Sequence, residues 1–385
     1  MDFRLPEDLV RLQAEMRAFV ERELAPHDSA IERTGQIPDS AVAALRRRGM
    51  FGLNTSADHG GLGLSMLGTC VALQELAKCH IAYYYLAGVN VHIGSKGIEF
   101  AGTEAQKRRW LPELASGRII GAFALTEPEA GSDAAAIATM ARRDGDAYVL
   151  NGRKTYITNA PVAGVFTVYA KTDPTARSAG ISAFLVEAGT PGLTVGEPIG
   201  MLAGHGSGHA ELVFTDCRVP AENRIGAEGQ GFALAMRCLD IGRVTWSAYC
   251  VGAAEKLLEL AIGRASTRHQ FGRPLIANQG IEWQIADMHA ALHAARLVSR
   301  EAAWLYDQPG ADASPACALA KLVGADMVWK VADATLQIFG GAGYSKDTPV
   351  ERIWREVRVV RILDGTSEIM RKIVARQALR PPSIA

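Results

Sequence analysis

Long apolar runs are missing from this sequence. None approaches the roughly 20 residues that a membrane-spanning helix requires, so a bilayer is not the expected environment. Neither sign of charge is in excess, because Lys plus Arg and Asp plus Glu both number 41. That balance removes any general pull towards nucleic acid or a lipid surface, and an anionic ligand must be met by a local site. Cysteine is sparse: Cys70, Cys79, Cys217, Cys238, Cys250 and Cys317 lie far apart, with no C-x-x-C and no metal-ligand spacing. A zinc site is therefore not expected, and the thiols suit a reducing compartment. The opening stretch MDFRLPEDLVRLQAEM is acidic and lacks an apolar centre, unlike a secretory signal or an Arg-rich transit peptide, so the expected address is the cytoplasm. Internal repeats and low-complexity tracts are absent as well.

What remains is the composition of an ordinary globular enzyme, 48% hydrophobic and 21% charged over 385 residues. That length exceeds one ordinary hydrophobic core and predicts two or three domains. Three regimes follow one another. Residues 1–122 carry helical periodicity: after Pro6, the residues Leu9, Leu12, Met16, Phe19 and Val20 form one stripe, and further helices are expected at 38–49, 65–80, 82–101 and 103–116. Residues 123–228 change to short β-branched or alternating runs broken by Gly, Pro, Asn and Asp, which predicts a small antiparallel β-domain. Asn151-Gly152 stands between two such runs and predicts a hairpin there. Residues 229–385 return to helices, three of them longer than twenty residues and a shorter one at the end, as in a four-helix bundle.

Several short stretches carry chemistry. TEPEAGSD, at 126–133, offers the Thr126 and Ser132 hydroxyls and a Gly-Ser turn with exposed amides. YITNA, at 156–160, places an aromatic ring and Thr158 near a strand end, where they could cover and hydrogen-bond a planar ring. TRHQFGRP, at 267–274, gathers Arg268, His269 and Arg273 around Phe271, a set suited to a pyrophosphate beside an aromatic ring. QIFGGAGY, at 337–344, ends a helix in glycines that let a ligand approach the backbone, though no strand precedes it and it lacks the dinucleotide fingerprint. His289 and His293 are four apart on a helix, without the third ligand that a metal site needs. Each stretch taken singly is also explained by a polar loop, a strand or a helix cap.

With these stretches in this order, together with VFTDCRVPAENRIG and DGTSEIMR, the chain resembles the acyl-CoA dehydrogenase family from about residue 6 to about residue 380. The resemblance implies a mostly α fold: a helical N-terminal domain, a middle β-domain and a C-terminal four-helix bundle, with FAD between the last two. It implies a homotetramer built as a dimer of dimers, and electron-transferring flavoprotein as electron acceptor. By position, it implies Phe123, Leu125 and Thr126 along the flavin ring, with Tyr156 and Thr158 on its far side. Arg268 and Phe271 would reach a neighbouring subunit's FAD, with Gln337, Gly340 and Gly341 on the adenosine side, and Thr366 and Glu368 would contact the cofactor after the base. Ser132, Asp240 and Arg243 match positions on the CoA arm, while Tyr84, in IAYYYLAGVNVH, matches the acyl-pocket wall.

The reaction so implied removes the α-proton of an acyl thioester while a hydride leaves the β-carbon for flavin N5. The base is expected at Asp364, where most members carry glutamate; the alternative position on the first bundle helix is Gly242 here. Aspartate is shorter by roughly 1 Å of reach. A capping role for Asp364 at the following helix is the competing reading. Two other departures stand out: the family loop KLGxRxS reads MLAGHGSGHAEL here, and WREVR holds Glu356 in place of aspartate. No arginine occurs between His80 and His92, against a distal carboxylate on the substrate. The thioester could sit on CoA or on an acyl carrier protein. A flavin-dependent oxygenase or a non-oxidative eliminating enzyme would suit the same scaffold.

Overall fold

The computed structural model describes residues 4–379. They pack as two compact units: one combines the chain up to Ala25 with Ser65–His80 and the chain from Arg243, the other joins Pro26–Leu64 to Ile81–Gly242.

The first unit is helical. Its opening helix, Glu7–Phe19, starts after Pro6 and buries Leu9, Met16 and Phe19 as the periodicity predicts. It packs against the helix Met66–Leu76. A buried carboxylate, Glu75, accepts from Gln13 Nε2 at 2.9 Å and from Lys78 Nζ at 2.8 Å, and Lys78 also reaches Glu255 at 2.8 Å. Arg296 closes that network on Glu255 at 3.0 Å, so charges from three chain segments neutralise one another where water is scarce. The long helices are Gly231–Thr267, of which this unit holds the part from Arg243, Gln279–Tyr306 and Ser314–Phe339. Ser314–Phe339 packs on Gln279–Tyr306 and on two short helices, Pro349–Arg358 and Ser367–Ala378. The sequence suggested one short closing helix. Two form because the turn around Asp364-Gly365 separates them.

The second unit is built on an eight-stranded sheet: β1 Gly121–Ala124, β2 Met140–Asp144, β3 Ala147–Thr158, β4 Val165–Lys171, β5 Ile181–Glu187, β6 Leu193–Val195, β7 His209–Pro220 and β8 Arg224–Ile225. The order is β6-β7-β3-β2-β4-β5-β8, with β1 beside β4. Most ladders are antiparallel, as the closely spaced runs predict, but β1 and β2 each meet β4 in parallel. Phe166, Val168, Phe184, Val186, Leu212 and Phe214 fill its core.

The hairpin expected at Asn151-Gly152 is not there. Those residues lie inside the continuous strand β3, and the turn falls instead at Gly145-Asp146, between Asp144 and Ala147. Gly152 marks a bulge against β7, with φ 151°, and a Cβ there would stand 2.4 Å from Thr139 Oγ1. Glycine is demanded by that close approach rather than by a turn. Asn151 lies within the bulge and is held there by Asp216, whose amide donates to Asn151 Oδ1 at 2.8 Å.

Candidate active site

The helix Ser367–Ala378 is capped by Thr366, whose Oγ1 accepts the Ile369 N–H at 3.3 Å. That settles what Asp364 does not do, since the capping position is already filled two residues later. Asp364 adopts φ 49°, in the left-handed region that L residues with a Cβ generally avoid. Its Oδ2 is buried without a hydrogen-bond partner. Burial pushes its carboxyl above the ordinary aspartate range, opposed in turn by the charges of Lys321 and Arg243 and by the Trp246 indole N–H. A half-buried acid, desolvated and incompletely bonded, is a stronger base than an exposed one.

Two cations surround this turn. Lys321, on the helix Ser314–Phe339, is fully buried and donates from Nζ to Leu363 O at 2.7 Å and Gly365 O at 2.5 Å. Arg243 is also buried, and its Nη2 lies 3.9 Å from where a Cβ on Gly365 would stand.

In the second unit, the loop after β1 is fixed from beneath. Lys154, fully buried on β3, donates to Leu125 O at 3.0 Å and to Glu127 Oε1 at 2.7 Å. Glu127 also accepts the amides of Ala138 at 2.5 Å and Thr139 at 3.0 Å. Burial would raise the Glu127 carboxyl, but Lys154 and the Ala138 amide outweigh it and hold it below its usual range; Lys154 is lowered to about 8 by burial. Thr126 O accepts Thr155 N–H at 2.9 Å, so Phe123, Leu125 and Thr126 lie alongside the start of YITNA. Tyr156 has φ 56° and is 56% exposed. Thr158 is half-buried, Ser132 exposed and Asp240 half-buried.

Tyr84 is fully buried in a π-helical turn, Tyr84–Gly88, and a second such turn, Asn90–Gly94, follows. π-turns of this kind recur at functional sites. The neighbouring Tyr85 explains one departure in the loop MLAGHGSGHAEL. His209 packs edge-on to its ring at 5.0 Å, and a Cβ on Gly204, where φ is 84°, would fall 2.5 Å from that ring. Only glycine lets this loop close on Tyr85.

In the first unit, a cleft of about 370 Å³ is lined by Arg264, Arg268, Gln270, Phe339, Gly340 and Gly341 among others. The Arg264 guanidinium lies over the Phe339 ring at 5.6 Å, and its Nε is buried without a hydrogen-bond partner. Gln337 is exposed one turn earlier on the same helix, and Phe271 projects wholly into solvent with φ 52°. Thr366 sits beside Asp364, while Glu368 is exposed on the last helix. Three expected site residues, Tyr156, Phe271 and Asp364, thus hold positive φ, where backbone strain commonly marks function. His289 and His293 are both exposed.

The chain matches the family models for the acyl-CoA dehydrogenase N-terminal domain over residues 6–118, the middle domain over 122–217 and the C-terminal domain over 229–379. The chain belongs to the acyl-CoA dehydrogenase family. It is an oxidoreductase of that family, whose members depend on FAD. A short-chain specific acyl-CoA dehydrogenase of Clostridium acetobutylicum is 39% identical over 380 residues, 99% of this chain and 100% of the relative. The butyryl-CoA dehydrogenase structure from Megasphaera elsdenii superposes with a TM-score of 0.95 at 37% identity, covering 99% of this chain and 100% of that one. A chain of the structure described as electron transferring flavoprotein of Acidaminococcus fermentans superposes at 0.96 with 38% identity, covering 99% and 100%. Within this family fold, the sequence reading overlooked Glu127, Lys154 and Lys321. Lys321 carried a readable signal, being the only charged residue between Ser314 and Ala325 in an otherwise apolar run.

Proposed function

We propose that the protein is an FAD-dependent acyl thioester α,β-dehydrogenase in which Asp364 takes the α-proton. The observation that carries this reading is the Asp364 carboxylate itself, strained, desolvated, with one oxygen unbonded and its alternative role as a cap taken by Thr366. When bound, FAD supplies at N5 the acceptor for the hydride leaving the β-carbon. Asp364 receives the α-proton as the Cα–Cβ double bond forms, so the substrate loses one proton and one hydride. The work of the other residues is to bind and orient. Phe123, Leu125, Thr126, Tyr156 and Thr158 are proposed to hold the flavin ring, with Thr366 and Glu368 beside it; the Lys154–Glu127 pair keeps the first three in place. Ser132, Asp240 and Arg243 are proposed for the CoA or carrier arm, and Tyr84 for the acyl wall.

The cleft that includes Arg268, Gly340 and Gly341 suits the rest of the cofactor. Guanidinium groups match an anionic diphosphate, the unbonded Arg264 Nε still lacks an acceptor, and the glycines leave the wall open to an adenosine. In the homotetramer that we propose, Arg268 and Phe271 serve a neighbouring copy's FAD, with Gln337 on the same side. Arg268→Ala is expected to weaken FAD binding about tenfold or more, the worth of a charged hydrogen bond. Titration of the apoprotein with FAD, followed by fluorescence quenching, measures it.

The likeness to butyryl-CoA and short-chain enzymes supports a short acyl chain, and the Acidaminococcus structure supports electron-transferring flavoprotein as acceptor. The test is anaerobic mixing with acyl-CoAs of varied shape. A dehydrogenase bleaches its flavin without oxygen; absence of bleaching with every acyl-CoA, alongside oxygen-dependent turnover, would replace this reading with an oxygenase. The acid side of the bleaching profile should also lie above the ordinary aspartate range. Asp364 must be unprotonated to act, and because burial raises its pKa, the rate falls as pH drops through that raised value. Rapid-mixing rates across pH measure the limb, and a limb at the ordinary aspartate pKa would contradict the burial argument.

A further inference from the structure

A lysine in the apolar stripe of a packed helix is an expensive placement, and Lys321 stands in one. Its helix buries Cys317, Ala318, Ala320, Gly324, Ala325 and Val328 around it, and Lys321 itself is fully buried. An ammonium in such surroundings persists when its protons are taken by good acceptors. Here the acceptors are two main-chain carbonyls, Leu363 O at 2.7 Å and Gly365 O at 2.5 Å. They flank one residue, and that residue is Asp364.

We infer that Lys321 is the positioning residue of the base: by gathering the carbonyls on both sides of Asp364 it fixes the left-handed turn, aims the carboxylate and keeps it charged. The inference rests on the reading of Asp364 as base. Its geometry is self-consistent. Drawing the oxygens of residues 363 and 365 to one cation constrains the backbone between them, and Asp364 is found there at φ 49°. Thr366 caps the next helix directly after this turn, so a loosened turn would also disturb the first turn of Ser367–Ala378. Electrostatics point the same way. The charged and titratable groups bearing on Lys321 are Asp364 on the turn, Cys250 and Arg243 on the helix Gly231–Thr267, and Glu368 on the last helix. Burial lowers Lys321 to about 8, with Asp364 the foremost group opposing that fall, so the lysine is still mostly protonated at neutral pH. Among the cations acting on Asp364, Lys321 ranks before Arg243 in lowering its pKa.

The test uses FAD-loaded Lys321→Met, which keeps the stem and removes the ammonium, and Lys321→Gln, which keeps a donor without charge. Two readouts are taken beside the unmodified protein and Asp364→Ala. The first is the pH dependence of anaerobic bleaching. Its acid limb should move upward by about one pH unit in both variants, because the carboxylate loses a neighbouring positive charge. The second is amide hydrogen exchange over residues 363–369, independent of turnover. Exchange there should quicken about tenfold in Lys321→Met and less in Lys321→Gln, with the sheet of the other unit unchanged. An unmoved limb with unchanged exchange, while Asp364→Ala is inactive, overturns the role given to Lys321 and leaves the base intact. Asp364→Ala bleaching at the unmodified rate instead overturns the base, whatever exchange shows. Failure of both variants to accumulate as folded, flavin-binding protein also overturns the inference, since Lys321 would then be a support of the fold alone.

Discussion

Asp364→Ala is expected to slow anaerobic flavin bleaching by about a hundredfold to ten-thousandfold, the usual contribution of a positioned general base. The variant should still fold and still be yellow, because the Trp246 indole N–H loses a partner but Oδ2 has no hydrogen bond to lose, and the cap on the last helix belongs to Thr366. Rapid mixing with a short acyl-CoA under anaerobic conditions gives the rate, and the visible spectrum gives the flavin content. A variant that bleaches as fast as the unmodified protein would end the assignment. Alanine in place of aspartate at φ 49° adds a modest strain, so Asp364→Asn is the companion. It keeps side-chain shape and tolerance of the left-handed region, and it should be as slow as the alanine variant if the missing function is proton removal. Asp364→Glu addresses reach. Adding roughly 1 Å of side chain in a fixed turn moves the carboxylate by an amount that commonly costs or gains about a hundredfold in rate. Its acyl-chain preference should therefore differ from that of the unmodified protein.

Glu127→Gln should cost about 3–5 kcal/mol of stability, the penalty for stranding a buried charge. Lys154 is fully buried and has two acceptors, the Glu127 carboxylate at 2.7 Å and Leu125 O at 3.0 Å. Removing the negative charge leaves an ammonium paired only with neutral oxygens. The same carboxylate accepts the Ala138 and Thr139 amides, so the loop carrying Thr126 and Ser132 should loosen with it. Denaturant unfolding of the two proteins at neutral pH provides the measurement. Lys154→Met paired with Glu127→Gln forms a double-mutant cycle, in which the second change should recover part of the loss. The pH dependence has a definite sign. Glu127 is held below its unfolded value, so its contribution is complete at neutral pH and disappears as pH falls through the lowered pKa. The acid side of the stability curve should therefore be flatter in Glu127→Gln. A loss below about 1 kcal/mol would mean that water replaces the carboxylate and that the pair is less secluded than its burial indicates.

Much of this protein was legible because periodicity survives without knowledge of partners. The stripe from Leu9 to Val20, the three long helices and the change to alternating strands near residue 123 are local consequences of where apolar residues recur. Six ordered stretches then identified the family, and Asp364 was singled out as an acid directly before a Gly-Thr pair. Gly152 shows where local reading fails. Asn-Gly is a strong hairpin signal, yet the glycine is required by Thr139, the residue just before the neighbouring strand β2. The Glu127–Lys154 pair was invisible for a similar reason, since the partners are 27 positions apart and meet only when the loop after β1 folds onto β3.

The amino-acid order by itself determined the helical stripes, the family and the choice of Asp364 as the candidate base, since each was read from short stretches of neighbouring residues. Tertiary structure alone decided that Thr366 rather than Asp364 caps the last helix, that Asp364 stands in a left-handed turn, and that a lysine 43 positions earlier grips both sides of it. Those facts depend on burial and on which carbonyls face which cation, and neither is set until distant segments pack and exclude water.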